Sequence, residues 1–345
     1  MKKLNLAKAA LAVVIGLAAP TLAAAEEKLS LYNWGDYINP KVLTKFTEET
    51  GIKVSLDTYG TNEEMLAKIQ AGATGYDIVF PSVHMQDIMS QLNLLEKTDI
   101  GSSVNFKNID PQFIRASTDP KAEYCLPYAW GNVGIVYNKK KVKNISGWAD
   151  MFKLAASGEK IILLDDLRET IAIGHILNGT SVNSTDEAEV VAAAKVIKDN
   201  LKNVSAFSYD SIPLVISGDV AAAQWYVGAN IFVLQNPDVL GYIIPKEGAT
   251  MYQENMCVLK SAPNKAHAKK FMEFYLKPEI AALNVKQQMN GTPNIPAQKL
   301  IPEAISGNAT IYPPADVLSK LQIFVDLGQD LKLYNREWTA IKTAQ

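Results

Sequence analysis

The chain has 345 residues, 34 Lys and Arg against 36 Asp and Glu, a formal net charge of −2 and 48% hydrophobic residues. A near-neutral chain without a basic stripe or Arg-rich run is a poor partner for nucleic acid, and this length exceeds one core and implies two lobes. Cys125 and Cys257 are too few for a disulfide framework and lack the CxxC spacing of zinc or redox sites, and their pairing is left open.

At the front, Lys2, Lys3 and Lys8 precede an uncharged apolar run over residues 9–19, and Ala23-Ala24-Ala25 forms a small-x-small end before Glu26. The pattern predicts a secretory signal peptide over residues 1–25, cleaved near Ala25, with an apolar run too short for a permanent membrane span. Its removal takes away three lysines and no acid, which shifts the formal charge from −2 to −5 on the remaining 320 residues. No cysteine stands at the cleavage point, so the expectation is a soluble periplasmic protein without a lipid anchor or membrane insertion.

Residues 28–33 alternate as a strand, Asn39-Pro40 supplies a cap and a first-turn proline, and Gly51 closes the helix. A strand over 54–59 follows, then a capping box at Thr61-Asn62-Glu63-Glu64, a helix over 65–71 and a short buried strand over 77–80. This βαβαβ rhythm predicts a parallel sheet flanked by helices, with functional loops at residues 34–37 and 81–84. Two long apolar runs, 124–138 and 251–259, bracket a second α/β unit with strands at 161–164, 221–225 and 240–244 and a helix over about 186–201. The nesting predicts a first lobe of residues 26–130 plus 258–305 and a second of 131–257 plus 306–345. A helix over 265–276 stops at Pro278, where another begins, and the chain is expected to cross again over 301–314 and finish in two helices.

No HExxH, GxSxG, GxGxxG or Walker loop is present, and His84, His175 and His267 are scattered without partners at metal or triad spacing. Aromatics and acids instead gather at strand ends. Trp34 and Tyr37 stand on the turn after the first strand, Asp166 and Glu169 after the strand at 161–164, and Trp225 ends the strand at 221–225. Tyr252 and Glu254 share one face of the second long run. Each has a plain structural reading, as core aromatic or helix cap. Together they describe a box in which carboxylates hold ammonium groups and rings cover methylenes.

Along essentially the whole mature chain the sequence resembles the periplasmic spermidine/putrescine-binding proteins (PotD-like) of polyamine ABC uptake systems. The matching stretches are Tyr32-Asn33-Trp34 with Tyr37, Glu49-Thr50-Gly51-Ile52-Lys53-Val54, Val79-Phe80-Pro81-Ser82, Leu126-Pro127-Tyr128 with Gly134-Ile135 and Tyr137-Asn138, Asp165-Asp166 with Arg168-Glu169, Pro245-Lys246-Glu247-Gly248 and Ile311-Tyr312-Pro313. The resemblance implies an α/β fold, the two-lobed type II periplasmic binding protein, each lobe a mostly parallel sheet flanked by helices with the ligand cleft between them. It implies a monomeric receptor, not an enzyme, with no cofactor or metal, that captures spermidine or putrescine by hinge closure and delivers it to an inner-membrane ABC permease.

Carried over position by position, Trp34, Tyr37, Trp225 and Tyr252 would sandwich the aliphatic chain. Ser82 would hydrogen-bond near one end, and Ser208 would serve in the second lobe. Asp166, Glu169 and Glu254 would hold ammonium groups. Three departures stand out: His84 and Asn290 replace tyrosines, and Glu254 replaces aspartate. The pairing of Asp166 with Glu169 leans toward spermidine. The alternatives are a receptor for another organic amine, a ferric receptor, which the lack of adjacent tyrosines disfavours, and an amine-acting enzyme with Asp166 and Glu169 as acid and base.

Overall fold

The computed structural model describes residues 27–114 and 118–344, so the signal peptide expected over residues 1–25 lies outside the described residues. Strand β1 (Lys28–Trp34) buries Leu29 and Leu31 by simple alternation. It pairs in parallel with β2 (Lys53–Tyr59) and β3 (Ile78–Val79). The helix between β1 and β2, Pro40–Thr50, starts where Asn39 accepts from the Lys41 amide and ends at Gly51, whose φ of 77° is the left-handed conformation that glycine adopts freely. The helix Asn62–Gln70 begins at Thr61, whose side chain accepts from the Glu64 amide.

Strand β4 (Cys125–Asn138) joins two sheets. Its residues 125–132 pair antiparallel with β9 (Ala249–Val258), and its residues 133–138 pair antiparallel with β7 (Ala222–Tyr226) and β8 (Leu240–Ile243). Beyond β7 lie β5 (Ile161–Leu163) and β6 (Val204–Phe207), again parallel. The strand path is β2-β1-β3-β9-β4-β7-β5-β6, with β8 on β4 and β10 (Leu321–Ile323) on β9. Parallel groups therefore flank an antiparallel centre made of the two long strands.

Cys125 and Cys257, directly opposite across β4 and β9, form a disulfide with a Cα separation of 4.5 Å, which settles the pairing that the sequence leaves open. Buried apolar side chains form two clusters. The larger contains Leu31, Phe46, Phe80, Tyr128 and Phe271 and extends to Val136 and Tyr242. The other, with Trp148, Ile161, Ile171, Ala193 and Tyr334, draws only on residues within 135–341.

The end of the chain departs from expectation. The two expected helices are the one-turn Ala315–Leu318 and the long Leu331–Ala344, but strand β10 stands between them. Three residues carry too little alternation to announce a strand; β10 exists because Leu321 to Ile323 pair with Ala249 to Met251. The expected loop at 81–84 also turns out to be a helix start, with Val83 and His84 in the first turn of Val83–Gln91. Among the described residues no helix is long and apolar enough to cross a membrane.

Candidate functional site

Most of the expected residues sit at or just past the carboxyl ends of parallel strands, where an open α/β sheet leaves a crevice. Trp34 closes β1 and stands opposite Tyr59 at the end of β2. Its indole N–H donates to the Phe80 carbonyl at 2.8 Å, the Tyr59 hydroxyl donates to the same oxygen at 2.7 Å, and the two rings lie 4.6 Å apart. Trp34 is thus half-buried but fixed in orientation by β2 and by the segment after β3.

Ser82, three residues past β3, donates to the Glu254 carboxylate, 3.0 and 3.1 Å from its two oxygens. Glu254 is 5% exposed. Burial raises its pKa to about 8 against the weaker opposing hydrogen bonds of Ser82 and Trp34. Next along the face of β9 is Tyr252, whose hydroxyl donates to Asn290 Oδ1 at 3.0 Å, while Asn290 Nδ2 donates to the Tyr37 hydroxyl at 2.7 Å. Asn290, 1% exposed, therefore ties two aromatic walls together where a tyrosine could offer only one hydroxyl. Gly131 faces Tyr252 across the β4–β9 ladder, and a Cβ there would come within 2.3 Å of the Tyr252 hydroxyl.

The second acidic centre follows β5. Asp166 caps the helix Leu167–Asn178, with Oδ1 accepting from the Arg168 and Glu169 amides at 2.9 and 3.0 Å. Its other oxygen accepts from the Tyr209 hydroxyl at 3.3 Å, and burial raises its pKa. Glu169, 5% exposed, accepts from Thr250 Oγ1 at 2.6 Å. Burial, and then the charge of Asp166, push it up to about 8. Arg168 points elsewhere: its guanidinium reaches Asn183 Oδ1 at 2.9 Å and lies 4.4 Å over the Phe324 ring. Among the described residues no lysine or arginine forms an ion pair with Asp166, Glu169 or Glu254.

Three groups are therefore brought together: Trp34, Ser82 and Glu254; Tyr37, Asn290 and Tyr252; and Asp166 and Glu169. Tyr226 connects them. Its ring meets Tyr252 edge-on at 5.5 Å and Trp225 at 6.4 Å, and after burial the charges of Asp166 and Glu169 raise its pKa furthest. Trp225 in turn lies 6.4 Å from Tyr209. Two further expected residues have the following contacts. The Ser208 hydroxyl accepts from the Asp210 amide at 2.9 Å in the turn after β6, and the His84 ring stands edge-on to Phe324 at 6.4 Å.

Tyr59, Asn62, Tyr209, Tyr226 and Thr250 are additions that sequence reasoning missed. Thr250 was within reach, since it stands two residues before Tyr252 and so shares its face. Tyr226 adjoins Trp225. Asn62 gave no signal, being one polar residue in a capping box.

Among the described residues the assembly has buried acids and aromatic faces but no lysine or arginine ion-paired to those acids, Arg168 acting on Asp166 and Glu169 only from a distance, so it suits a flexible organic cation. Among the described residues no group of three or more His, Cys, Asp or Glu could hold a metal ion. Such a site on an α/β scaffold of this kind defines a solute-binding protein. The chain belongs to the bacterial extracellular solute-binding protein family, whose model matches residues 41–310. It is 32% identical to the spermidine/putrescine-binding periplasmic protein of Salmonella typhimurium over 98% of this chain and 97% of that protein. It is 33% identical to the putrescine-binding periplasmic protein SpuD of Pseudomonas aeruginosa over the full length of both. In three dimensions it matches the spermidine/putrescine ABC transporter substrate-binding protein PotD of Streptococcus pneumoniae with a TM-score of 0.83 and 34% identity, over 92% of this chain and 99% of that one.

Proposed function

We propose that this chain is a periplasmic receptor that captures a polyamine, spermidine in preference to putrescine, and delivers it to an ABC permease. The observation that carries the reading is the pair of buried carboxylates, Glu169 and Glu254, each held by a neutral hydroxyl and, among the described residues, neither in an ion pair with a lysine or arginine, the Arg168 charge acting on Glu169 only from a distance. A bound ammonium supplies the missing charge, in charge-assisted hydrogen bonds strengthened by the low local dielectric. Trp34, Tyr37, Trp225, Tyr226 and Tyr252 cover the methylenes, each cation–π contact adding about 0.5–2 kcal/mol.

Spacing supports the longer ligand. Thr250, which holds Glu169, and Glu254 stand four positions apart on one face of β9, roughly 13 Å along an extended strand. With anti torsions spermidine spans roughly 11 Å between its terminal nitrogens and putrescine roughly 6 Å, so a spacing of this order favours the triamine.

The lobes are residues 26–130 plus 258–305 and residues 131–257 plus 306–345, closing about β4 and β9 on a ligand that both touch. The protein acts as a monomer after export, with residues 1–25 removed, and performs no catalysis, since Asp166 is engaged as a helix cap and Glu169 with Thr250 instead of facing each other across a reacting bond. Calorimetric titration with putrescine, cadaverine, spermidine and spermine tests the reading. Spermidine should bind tightest at one site per chain, and Trp34→Ala and Trp225→Ala should each weaken it tenfold or more by loss of about 1.4 kcal/mol of contact. No polyamine binding, or unchanged affinity in both variants, would refute it. Mass spectrometry of spermidine incubated with the protein should show no product; turnover would instead make it an amine-acting enzyme.

A further inference from the structure

We propose that Asn62 is a positioning residue for the binding site, acting on Glu254 through Ser82. The inference rests on the polyamine-receptor reading for its ligand but on hydrogen-bond geometry for its mechanism. Asn62 opens the helix Asn62–Gln70 and is 8% exposed. Its side-chain amide meets Ser82 twice: the Ser82 backbone N–H donates to Asn62 Oδ1 at 3.2 Å, and Asn62 Nδ2 donates to Ser82 Oγ at 3.0 Å.

The direction of every proton follows. A backbone N–H only donates, so the oxygen of the Asn62 amide faces it and the NH2 faces Ser82 Oγ. That hydroxyl accepts from Asn62, and its single proton is left for Glu254, whose two oxygens lie 3.0 and 3.1 Å away. A hydroxyl is ordinarily a rotor that accepts from or donates to whatever arrives. Here it is fixed as a donor to one carboxylate, and Glu254 is aimed by a relay that begins on a helix outside the aromatic box. Ser82 Oγ then has one lone pair left for a ligand ammonium. Its part in the relay is to hold the acid that receives the ammonium, beside the direct ligand contact that the resemblance implied.

The groups facing Glu254 from the surrounding elements are Trp34 on β1, Tyr59 on β2, Tyr37 on the turn after β1, Ser82 after β3 and Tyr252 on β9 itself. All are neutral donors or rings. The relay is therefore a principal counterweight to the burial that disfavours the ionised form of Glu254.

The test is a double-mutant cycle with two readouts. Asn62→Asp keeps size and shape but turns the Ser82 proton toward the new carboxylate. Asn62→Ala removes the relay without adding charge, and Ser82→Ala removes its middle member. In ligand-free protein, the 13C carboxyl titration of Glu254, identified by its loss in Glu254→Gln, should move to higher pH in all three variants. Asn62→Ala combined with Ser82→Ala should move it no further than Ser82→Ala alone. Spermidine affinity should fall roughly tenfold in Asn62→Ala, as expected when a charge-assisted acceptor loses its orientation, and the loss should vanish in the Ser82→Ala background. An unmoved Glu254 titration in Asn62→Asp and Asn62→Ala, or additive losses in the cycle, would overturn the relay. Failure of the wild-type protein to bind spermidine, with the carboxyl titrations behaving as stated, would strike the receptor reading and leave the relay standing.

Discussion

Glu254 and Glu169 are the residues whose chemistry the fold alters most. An ordinary glutamate ionises near pH 4.5, whereas burial raises both of these to about 8. Between those values the ligand-free folded protein holds protons that the unfolded chain has released, so their contribution to stability declines as pH rises from about 4.5 to about 8. An ammonium guest needs the carboxylate form, so capture expels those protons, and affinity should rise with pH over the same window, approaching tenfold per acid for each pH unit. Calorimetry in buffers of different ionisation heat should record proton release on spermidine binding at pH 7. Glu254→Gln should lower affinity roughly 10- to 100-fold, the value of a hydrogen bond to a charged group, and should remove one acid's share of the pH slope. Affinity independent of pH between 6 and 8 in the wild-type protein would show that these acids are not the groups the ligand meets.

At the scale of elements, Asp166 combines the structural role of a helix cap with a proposed binding role in one side chain. It is the cap of the helix Leu167–Asn178, which the sequence allows as its plain reading, and its second oxygen is turned toward Tyr209. Asparagine caps helices as well as aspartate does, so Asp166→Asn should keep the unfolding midpoint and weaken spermidine binding, whereas Asp166→Ala should also lose about 1 kcal/mol of stability. Thermal denaturation beside calorimetry separates the two, and an Asn variant that binds like wild type would leave Asp166 as a cap alone. Local signals of this kind made the early elements legible: Asn39-Pro40 with Gly51 and the Thr61 cap on the Glu64 amide are realised, although the Glu64 carboxylate of the expected box takes the Gly60 amide instead of that of Thr61. What could not be read depended on distant partners. Strand β10 exists only against β9, and Asn62 looks like any first-turn polar residue until Ser82, twenty positions away, folds onto it. Ser208 holds the Asp210 amide two positions on, a contact local to the chain, whereas the His84 ring meets Phe324 from a distant part of the sequence, a contact that position along the chain does not encode.

For the molecule as a whole, the two long apolar runs matter most, because β4 and β9 are both the link between the sheets and part of the site wall. The disulfide joins them at one end of their ladder, next to the register shift between Pro127 and Ala129. It closes a sequence separation of 132 residues that contains all of β5 to β8. In the chain-entropy picture, a loop this long removes enough freedom from the unfolded state to be worth roughly 4–5 kcal/mol. The folded site has further supports. Ser82 bridges Glu254, the Asn255 amide donates to the Pro81 carbonyl at 3.0 Å, and β9 pairs with β4 through Asn132. A variant with Cys125→Ala and Cys257→Ala should therefore unfold at lower denaturant, losing roughly 2–5 kcal/mol, while its folded form binds spermidine within about threefold of wild type, as distant independent features do. Chemical denaturation followed by tryptophan fluorescence, with titration of the folded variant, measures both quantities. A large loss of affinity at unchanged stability would instead mean that the disulfide holds the register of Glu254 against Ala129, and that the strand pairing alone does not.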